Sequence, residues 1–527
     1  MPSDLIRVGI GGLWLACALG SSDPAASQDW KDEANARIEQ IRKRDVEIYV
    51  ADEYGAPISA APVDATQTRH HFAFGSEIGF ALVENPTYRE FFFDHFEWAV
   101  FGNETKWFYN EPIRDFETYS RAEAMYDLCE QHGVPVRGHC LFWAKERFVP
   151  GWARNLPDDE LREEVDERID SAVTRFKDRF RHWDVNNEML DGHFFEQRLG
   201  PEIRPHMFQR SHDIDPYSKL FVNDYSIIAG SSSRTNSYIQ QIRGLIEAGA
   251  PIHAIGVQGH FWGDTVDPVT ILARLDQLSV LDLPIWVTEY DAVDADDQRR
   301  ADKLENCYRA AFSHRSVDGI LMWGFWAGAH WRGPDAAIVD LDWTLNAAGE
   351  RYEALIDEWT THEQGETDAA GRFVFRGFHG TYQISVEAGE PEPLRAGLEL
   401  FPGEGPASFL IPLVPGSCFA AREVENLRLE HDADSGLTTL RWKPIPARQD
   451  MASTYDTLRS TDASSFDAGA FCLEADDGAD AAASDADEPF SGAAFFYAVR
   501  GAYDCPQGEG PLGARSDGTP RDARACP

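Results

Sequence analysis

Eight short runs rich in aromatic and β-branched residues recur through the first two thirds of the chain, mostly separated by helical or loop segments. They are His71 to Ile78, Trp98 to Glu104, Val134 to Trp143, His182 to Glu188, Lys219 to Tyr225, Ala254 to Phe261, Pro284 to Tyr290 and Gly319 to Trp326. Short apolar runs of this kind read as buried strands. Before the fourth, Leu161, Val165, Ile169, Ala172 and Phe176 return at spacings of four and three among charged residues, the mark of an amphipathic helix. Strand alternating with helix argues a parallel sheet. Eight such units predict an α/β fold closed into a (β/α)8 TIM barrel. The open, doubly wound alternative is weakened because no G-x-G-x-x-G follows an early strand.

A barrel takes roughly 250 residues, so the chain of 527 holds more. The expected organisation is a signal peptide over 1–27, a flanking helix and β segment over 31–70, the barrel over 71–362, a β hairpin and linker over 363–415, and an all-β sandwich over 416–527. On the early flank, a charged helix from Ala34 to Arg44 leads into the alternating strand Val46 to Val50. After a helix from Arg351 to Trp359, the runs Gly371 to Arg376 and Gly380 to Val386 read as the hairpin. It is expected to pair with Val46 to Val50 in a small β layer flanking the barrel. Gly389 to Pro415 is rich in proline and glycine and reads as a linker with an extended stretch. The last part alternates over Val424 to Leu429, Leu437 to Trp442, Tyr455 to Arg459 and Ala494 to Arg500. Between these, Glu474 to Glu488 is nearly all Asp, Ala and Gly and reads as a solvated loop. Calcium binding is the competing reading there, without EF-hand spacing to support it.

The formal net charge of −41 repels nucleic acid and anionic membranes and suits an uncharged substrate. Arg7 followed by the apolar stretch Val8 to Leu19 reads as an export signal, too short to span a membrane. A lipid anchor at Cys17 is the alternative to plain secretion. Cys129, Cys140 and Cys307 read as small core residues. Cys418, Cys472, Cys505 and Cys526 read as two disulfides of an exported module, with three connectivities open.

The strand ends carry the chemistry. Asn103, Lys106 and Trp107 lie at and just past the end of the second run; His139 and Trp143 belong to the third; Asn187 and Glu188 end the fourth. Gln258 and His260 belong to the sixth, Glu289 and Asp291 to the seventh, and Trp323, Trp326 and Trp331 to the eighth and its loop. The C-terminal rim of a parallel barrel is where such a fold holds its active site. Amides and imidazoles bond hydroxyl groups, and indoles stack on sugar rings, so the rim fits a neutral polysaccharide. Glu188 and Glu289 supply the two carboxyls that glycosidic cleavage needs, one protonated and one ionised. No H-E-x-x-H and no G-x-S-x-G occurs, so neither a metal centre nor a serine nucleophile is expected, and no cofactor is called for.

Several ordered motifs resemble glycoside hydrolase family 10, the endo-β-1,4-xylanases, and its plant-like branch above all. They are Phe74-Gly75-Ser76, Trp98 to Phe101, Arg137-Gly138-His139, Trp183 to Glu188, Asn223-Asp224-Tyr225, Trp286 to Asp291 and Phe375 to Tyr382. The resemblance implies a secreted, retaining enzyme acting on xylan or xylo-oligosaccharides through a covalent glycosyl-enzyme. It implies Glu188 as acid/base and Glu289 as nucleophile. Asn187 would bond the 2-hydroxyl, Gln258 would sit near Glu188, and His260 and Asp291 would hold Glu289 ionised. Asn103, Lys106 and His139 would grip glycon-side hydroxyls, with Trp143 and Trp331 flooring the central subsites. Gly102 departs from the family, where many members carry Glu. That departure keeps open a β-1,4-glucanase on the same barrel; a non-catalytic polysaccharide-binding protein is the reading from another class. The last module resembles fibronectin type III-like domains.

Overall fold

The computed structural model describes residues 24–503 except 53, 264, 388–392, 414–423, 433–434, 444–452, 462–465, 467–469, 478–480, 488 and 490–493. The chain divides into two compact units, one of residues 1–41, 75–94 and 98–352, the other of 42–74, 95–97 and 353–527. The expected signal peptide and Cys17 fall largely or wholly outside the described residues, which begin with the helix Pro24–Ile41. No described helix is long and apolar enough to cross a membrane.

The first unit is built on the closed parallel barrel. Its strands, numbered one to eight here, are Ala73–Ile78, Trp98–Phe101, Val136–Trp143, Phe180–Asn187, Lys219–Asp224, Ala254–Val257, Ile285–Ala292 and Val317–Met322. Each pairs with the next, and strand eight pairs with both seven and one, which closes the ring. A two-residue continuation of strand six, His260–Phe261, pairs in parallel with Asp291 and Ala292 of strand seven. All eight expected runs are strands, with ends displaced by a few residues. Strand seven is buried along its whole length, as expected where helices cover the outside of a parallel sheet. The helix before strand four runs Asp158–Arg175, with Leu161, Val165, Ile169 and Ala172 all buried on one face. Cys129, Cys140 and Cys307 are buried free thiols.

The second unit holds a seven-stranded, two-sheet layer made from segments that precede and follow the barrel in the sequence. One sheet sets Lys43–Asp52 between Arg372–Phe378, antiparallel, and Ala407–Leu413, parallel. The other runs in the order His362–Glu366, Pro62–His70, Gly380–Val386, Leu394–Leu400. Their inward faces share one core of Val46, Ile48, Val63, Phe373, Tyr382, Ile384 and Leu398, among others. The early strand does pair with the later one, Val46 opposite Phe375 and Ile48 opposite Phe373. The expected hairpin is corrected: Arg372–Phe378 and Gly380–Val386 lie in different sheets. The chain passes between them at Gly380, at φ 153°, where a Cβ would meet the Arg69 carbonyl oxygen at 2.0 Å. The expected linker is corrected too. Leu394, Ala396, Leu398 and Leu400 alternate into the core, and the prolines and glycines around them bound strands instead of dissolving them.

Two three-stranded antiparallel sheets follow: Glu425–Asp432, Leu437–Lys443 and Ala482–Asp485; and Phe471–Asp477, Ser453–Ser460 and Phe496–Tyr503. The stretch Glu474 to Glu488 is therefore not simply a loop, since two strands enter it. Ala483 pairs with Leu440, and buried Asp485 accepts from Arg459 Nη1 at 2.7 and 2.8 Å and from Tyr497 Oη at 2.9 Å. Small and acidic residues hold a ladder here because the backbone pairs and the carboxylate is satisfied. Residues 478–480 and 488 of that stretch, with Cys418, Cys505 and Cys526, lie outside the described residues.

Candidate active site

Glu289 sits near the end of strand seven, buried, with partners from three other strands. Asn223 Nδ2, from strand five, donates to its Oε1 at 2.7 Å. His260 Nε2 lies 3.1 Å from its Oε2, and His139 Nδ1, from strand three, is 4.0 Å from Oε1. Burial pushes the Glu289 carboxyl up. The His260 bond, the positive charges of His139 and His260, and the Asn223 bond overcome it and bring the group down to about 2. Burial likewise pushes His260 down, but its contacts with the Asp291 and Glu289 carboxylates raise it to about 9. His260 Nδ1 is 3.0 Å from Asp291 Oδ2, off the hydrogen-bond line, so the contact is an ion pair. Asp291 also accepts from Trp331 Nε1 at 2.7 Å and from Arg332 Nη1. Glu289 is thus a carboxylate held ionised by an imidazolium, which a second carboxylate holds charged.

Glu188 follows strand four with φ 61°, in the left-handed region that a non-glycine residue seldom occupies. Its N–H donates to the Asn223 carbonyl at 2.9 Å, which holds the strained residue in place. Gln258 Nε2 is 3.3 Å from Glu188 Oε1 and 3.3 Å from Asn187 Oδ1. Asn223 Nδ2 is 3.1 Å from the same Asn187 oxygen. Gln258, Asn187 and Asn223 therefore form an amide relay joining the two carboxyls. Asn187 Nδ2 is buried and has no hydrogen-bond partner among the described residues. A buried amide left open in this way has room for one more acceptor.

Around this pair lie the other expected residues. Lys106 Nζ donates to Asn103 Oδ1 at 3.2 Å and stands 4.9 Å from the Trp143 ring centre. His139 Nδ1 is 2.8 Å from Asp184 Oδ2, which Arg137 also holds. Trp143 stacks on Phe148 with ring centres 3.5 Å apart, and Trp331 is 54% exposed, free to present its face. Trp326 belongs elsewhere: it stacks on Trp343 with centres 4.5 Å apart.

A model of glycosyl hydrolase family 10 matches residues 64–351, more than half of the chain and all of this site. The chain belongs to glycosyl hydrolase family 10. It is 48% identical over 394 residues to anti-sigma-I factor RsgI6 of Acetivibrio thermocellus, covering 75% of this chain and 50% of that protein. It is 39% identical over 352 residues to endo-1,4-beta-xylanase 1 of Arabidopsis thaliana, covering 66% of this chain and 37% of that one. The chain therefore spans half or less of the length of these relatives. The crystal structure of xylanase 10B from Thermotoga petrophila RKU-1 in complex with xylobiose has TM-score 0.51 at 24% identity, covering 55% of this chain and 94% of that one. That likeness speaks for the fold.

Within this family-10 barrel, residues beyond the expected set also contact the carboxyls or their supports. Asn223 bonds Glu289 directly; the motif Asn223-Asp224-Tyr225 marked it as part of the resemblance, but without a role. Arg332 reaches Asp291 from the loop after strand eight. Lys145 Nζ lies 2.5 Å from Glu188 Oε2 and 4.2 Å from the Tyr225 ring centre. A lysine two residues past Trp143 carries no pattern that marks it, because its partners come from strands four and five.

Proposed function

We propose that this family-10 protein is a secreted, retaining endo-β-1,4-xylanase that hydrolyses xylan by double displacement. The carrying observation is the unequal surroundings of the two carboxyls. Glu289 is buried among His260, His139 and Asn223 and held ionised, as a nucleophile must be. Glu188 is bridged to it through Gln258, Asn187 and Asn223, and takes the acid/base role. In the first step the Glu289 carboxylate attacks the anomeric carbon while Glu188 gives its proton to the departing oxygen. In the second, Glu188 takes a proton from water, which cleaves the glycosyl-enzyme and frees Glu289. The open Asn187 Nδ2 is the donor for the 2-hydroxyl, a contact that tightens as the ring flattens. Asn103, Lys106 and His139 take glycon-side hydroxyls, and Trp143 and Trp331 take ring faces.

The identity to the Arabidopsis xylanase supports placement in the plant-like branch. Export is supported by Arg7 and the apolar run Val8 to Leu19. The two three-stranded sheets after the barrel support the fibronectin type III-like reading of the last module.

Glu289→Gln and Glu188→Gln should each lower xylan hydrolysis by about a thousandfold or more. Glu188→Ala should still turn over aryl xylosides whose leaving group needs little protonation. Near-wild-type xylan hydrolysis by either Gln variant overturns the assignment. Products from plain xylan against β-glucan separate this reading from a glucanase.

A further inference from the structure

Glu77, near the end of strand one, has no part in the relay just described. A Cβ built on Gly102, at the end of strand two, would lie 1.9 Å from Glu77 Oε1. One built on Gly324, after strand eight, would lie 3.6 Å from Oε2. The carboxyl is thus seated between the ends of strands one, two and eight, in space that only a glycine at 102 leaves free. It is only partly buried, and no described residue donates a hydrogen bond to it. Its charged neighbours are Glu104, Lys106 and Glu289.

A carboxyl that reaches the strand ends beside Lys106 and Glu289, still partly open and engaged by no described donor, is placed to meet a ligand. The side of the site follows from the neighbours. Lys106 and Glu289 stand by Glu77, whereas Glu188, the proton donor to the leaving group, faces Lys145 and Gln258. Glu77 therefore faces the part of the chain that stays on Glu289. Burial, with the charges of Glu104 and Glu289 and only partial relief from Lys106, pushes Glu77 up to about 8. A carboxyl that keeps its proton at neutral pH both donates and accepts, which suits two adjacent sugar hydroxyls.

We propose that Glu77 is the glycon-side, hydroxyl-binding carboxyl of this enzyme, supplied by strand one into the space that Gly102 leaves, so that positions 77 and 102 work as a coupled pair. The inference rests on the xylanase reading. It recasts Gly102: the carboxyl absent from strand two comes from strand one.

The test is steady-state kinetics on 4-nitrophenyl β-xylobioside and 4-nitrophenyl β-xyloside, with thermal melts. Glu77→Ala should raise KM for the xylobioside about tenfold, the worth of one good hydrogen bond. Its kcat should change less than about threefold, and the xyloside, which has no second glycon-side sugar, should lose less than the xylobioside. The melting temperature should hold or rise, because an unpaired carboxyl is removed. Gly102→Ala should push the Glu77 carboxyl aside and reproduce the KM rise. Glu77→Ala/Gly102→Glu should recover most of the lost affinity, while Gly102→Glu alone should not improve on wild type. Unchanged KM in Glu77→Ala, equal losses on both substrates, or no recovery in the double variant overturns the proposal. A wild-type enzyme that cleaves neither these substrates nor xylan instead overturns the xylanase reading beneath it.

Discussion

His260 is the residue on which the charge state of the site turns. Glu289 drops from 4.5 to about 2 on folding, so its contribution to stability is present above pH 4.5 and lost as pH falls through about 2. His260 rises from 6.5 to about 9, so its contribution is complete below pH 6.5 and lost as pH rises through about 9. Urea unfolding of wild type and His260→Asn should therefore differ most between about pH 5 and 6, with the gap closing as pH climbs toward about 9. Activity should follow the same logic on the acid side. The wild-type acid limb of kcat/KM should lie below the ordinary carboxylate range, and His260→Asn should move it upward, toward that range. An acid limb that stays put in the variant would show that His260 does not hold Glu289 ionised.

At the scale of elements, the helix before strand four does more than cover the sheet. Arg168, on its buried face, donates to the Thr105 carbonyl at 2.5 Å, the Leu141 carbonyl at 3.3 Å, Asn110 Oδ1 at 3.2 Å and Tyr119 Oη at 2.8 Å. Thr105 Oγ1 in turn donates to the His139 carbonyl at 2.8 Å, and Asn110 Nδ2 donates to the Glu104 carbonyl at 2.7 Å. One helical arginine thus pins the segment Glu104 to Lys106 against strand three, and with it Lys106 and His139. Arg168→Met should cost about 3 kcal/mol or more, because two backbone carbonyls and two side chains lose a charged donor in a buried place. It should also raise KM for xylo-oligosaccharides as Lys106 loses its footing. An unchanged urea midpoint would show the network to be dispensable. The helix itself was plain in the sequence, but an arginine at a buried position reads as a break in the apolar stripe until its partners are known.

For the molecule as a whole, the two-sheet layer ties residues 43–70 to residues 362–413. Lys43–Asp52 and Pro62–His70 are inner strands of their sheets, each with a partner on both sides. A chain ending at 351, where the family match ends, would leave both as unpaired edges, which invite aggregation. Such a chain should be less soluble and melt lower than one ending at 413, whereas loss of only the residues after 413 should leave hydrolysis of soluble xylo-oligosaccharides intact. Comparing the soluble yield and melting of the two truncated chains checks this, and equal behaviour would show that the layer is not needed for stable folding.

Periodicity carries local information, and the eight strands, the amphipathic helix and the two glutamates at strand ends were legible for that reason: a buried strand must be apolar, and a carboxyl at its end must have a use. The resemblance added the roles of Asn187, Gln258, His260 and Asp291. What stayed hidden depended on which distant residues meet. The chain passes from one sheet to the other at Gly380, where the Arg69 carbonyl leaves no room for a side chain, and the strands within 394–413 exist because the layer has a core for Leu398 and Ile411 to enter. Lys145 and Arg332 take their importance from partners on other strands, and Asn223, though part of a quoted motif, gets its role from Glu289. Gly102 shows the division most clearly. As a sequence feature it is a missing carboxyl; only the tertiary structure brings Glu77 from the neighbouring strand into the space a side chain there would fill.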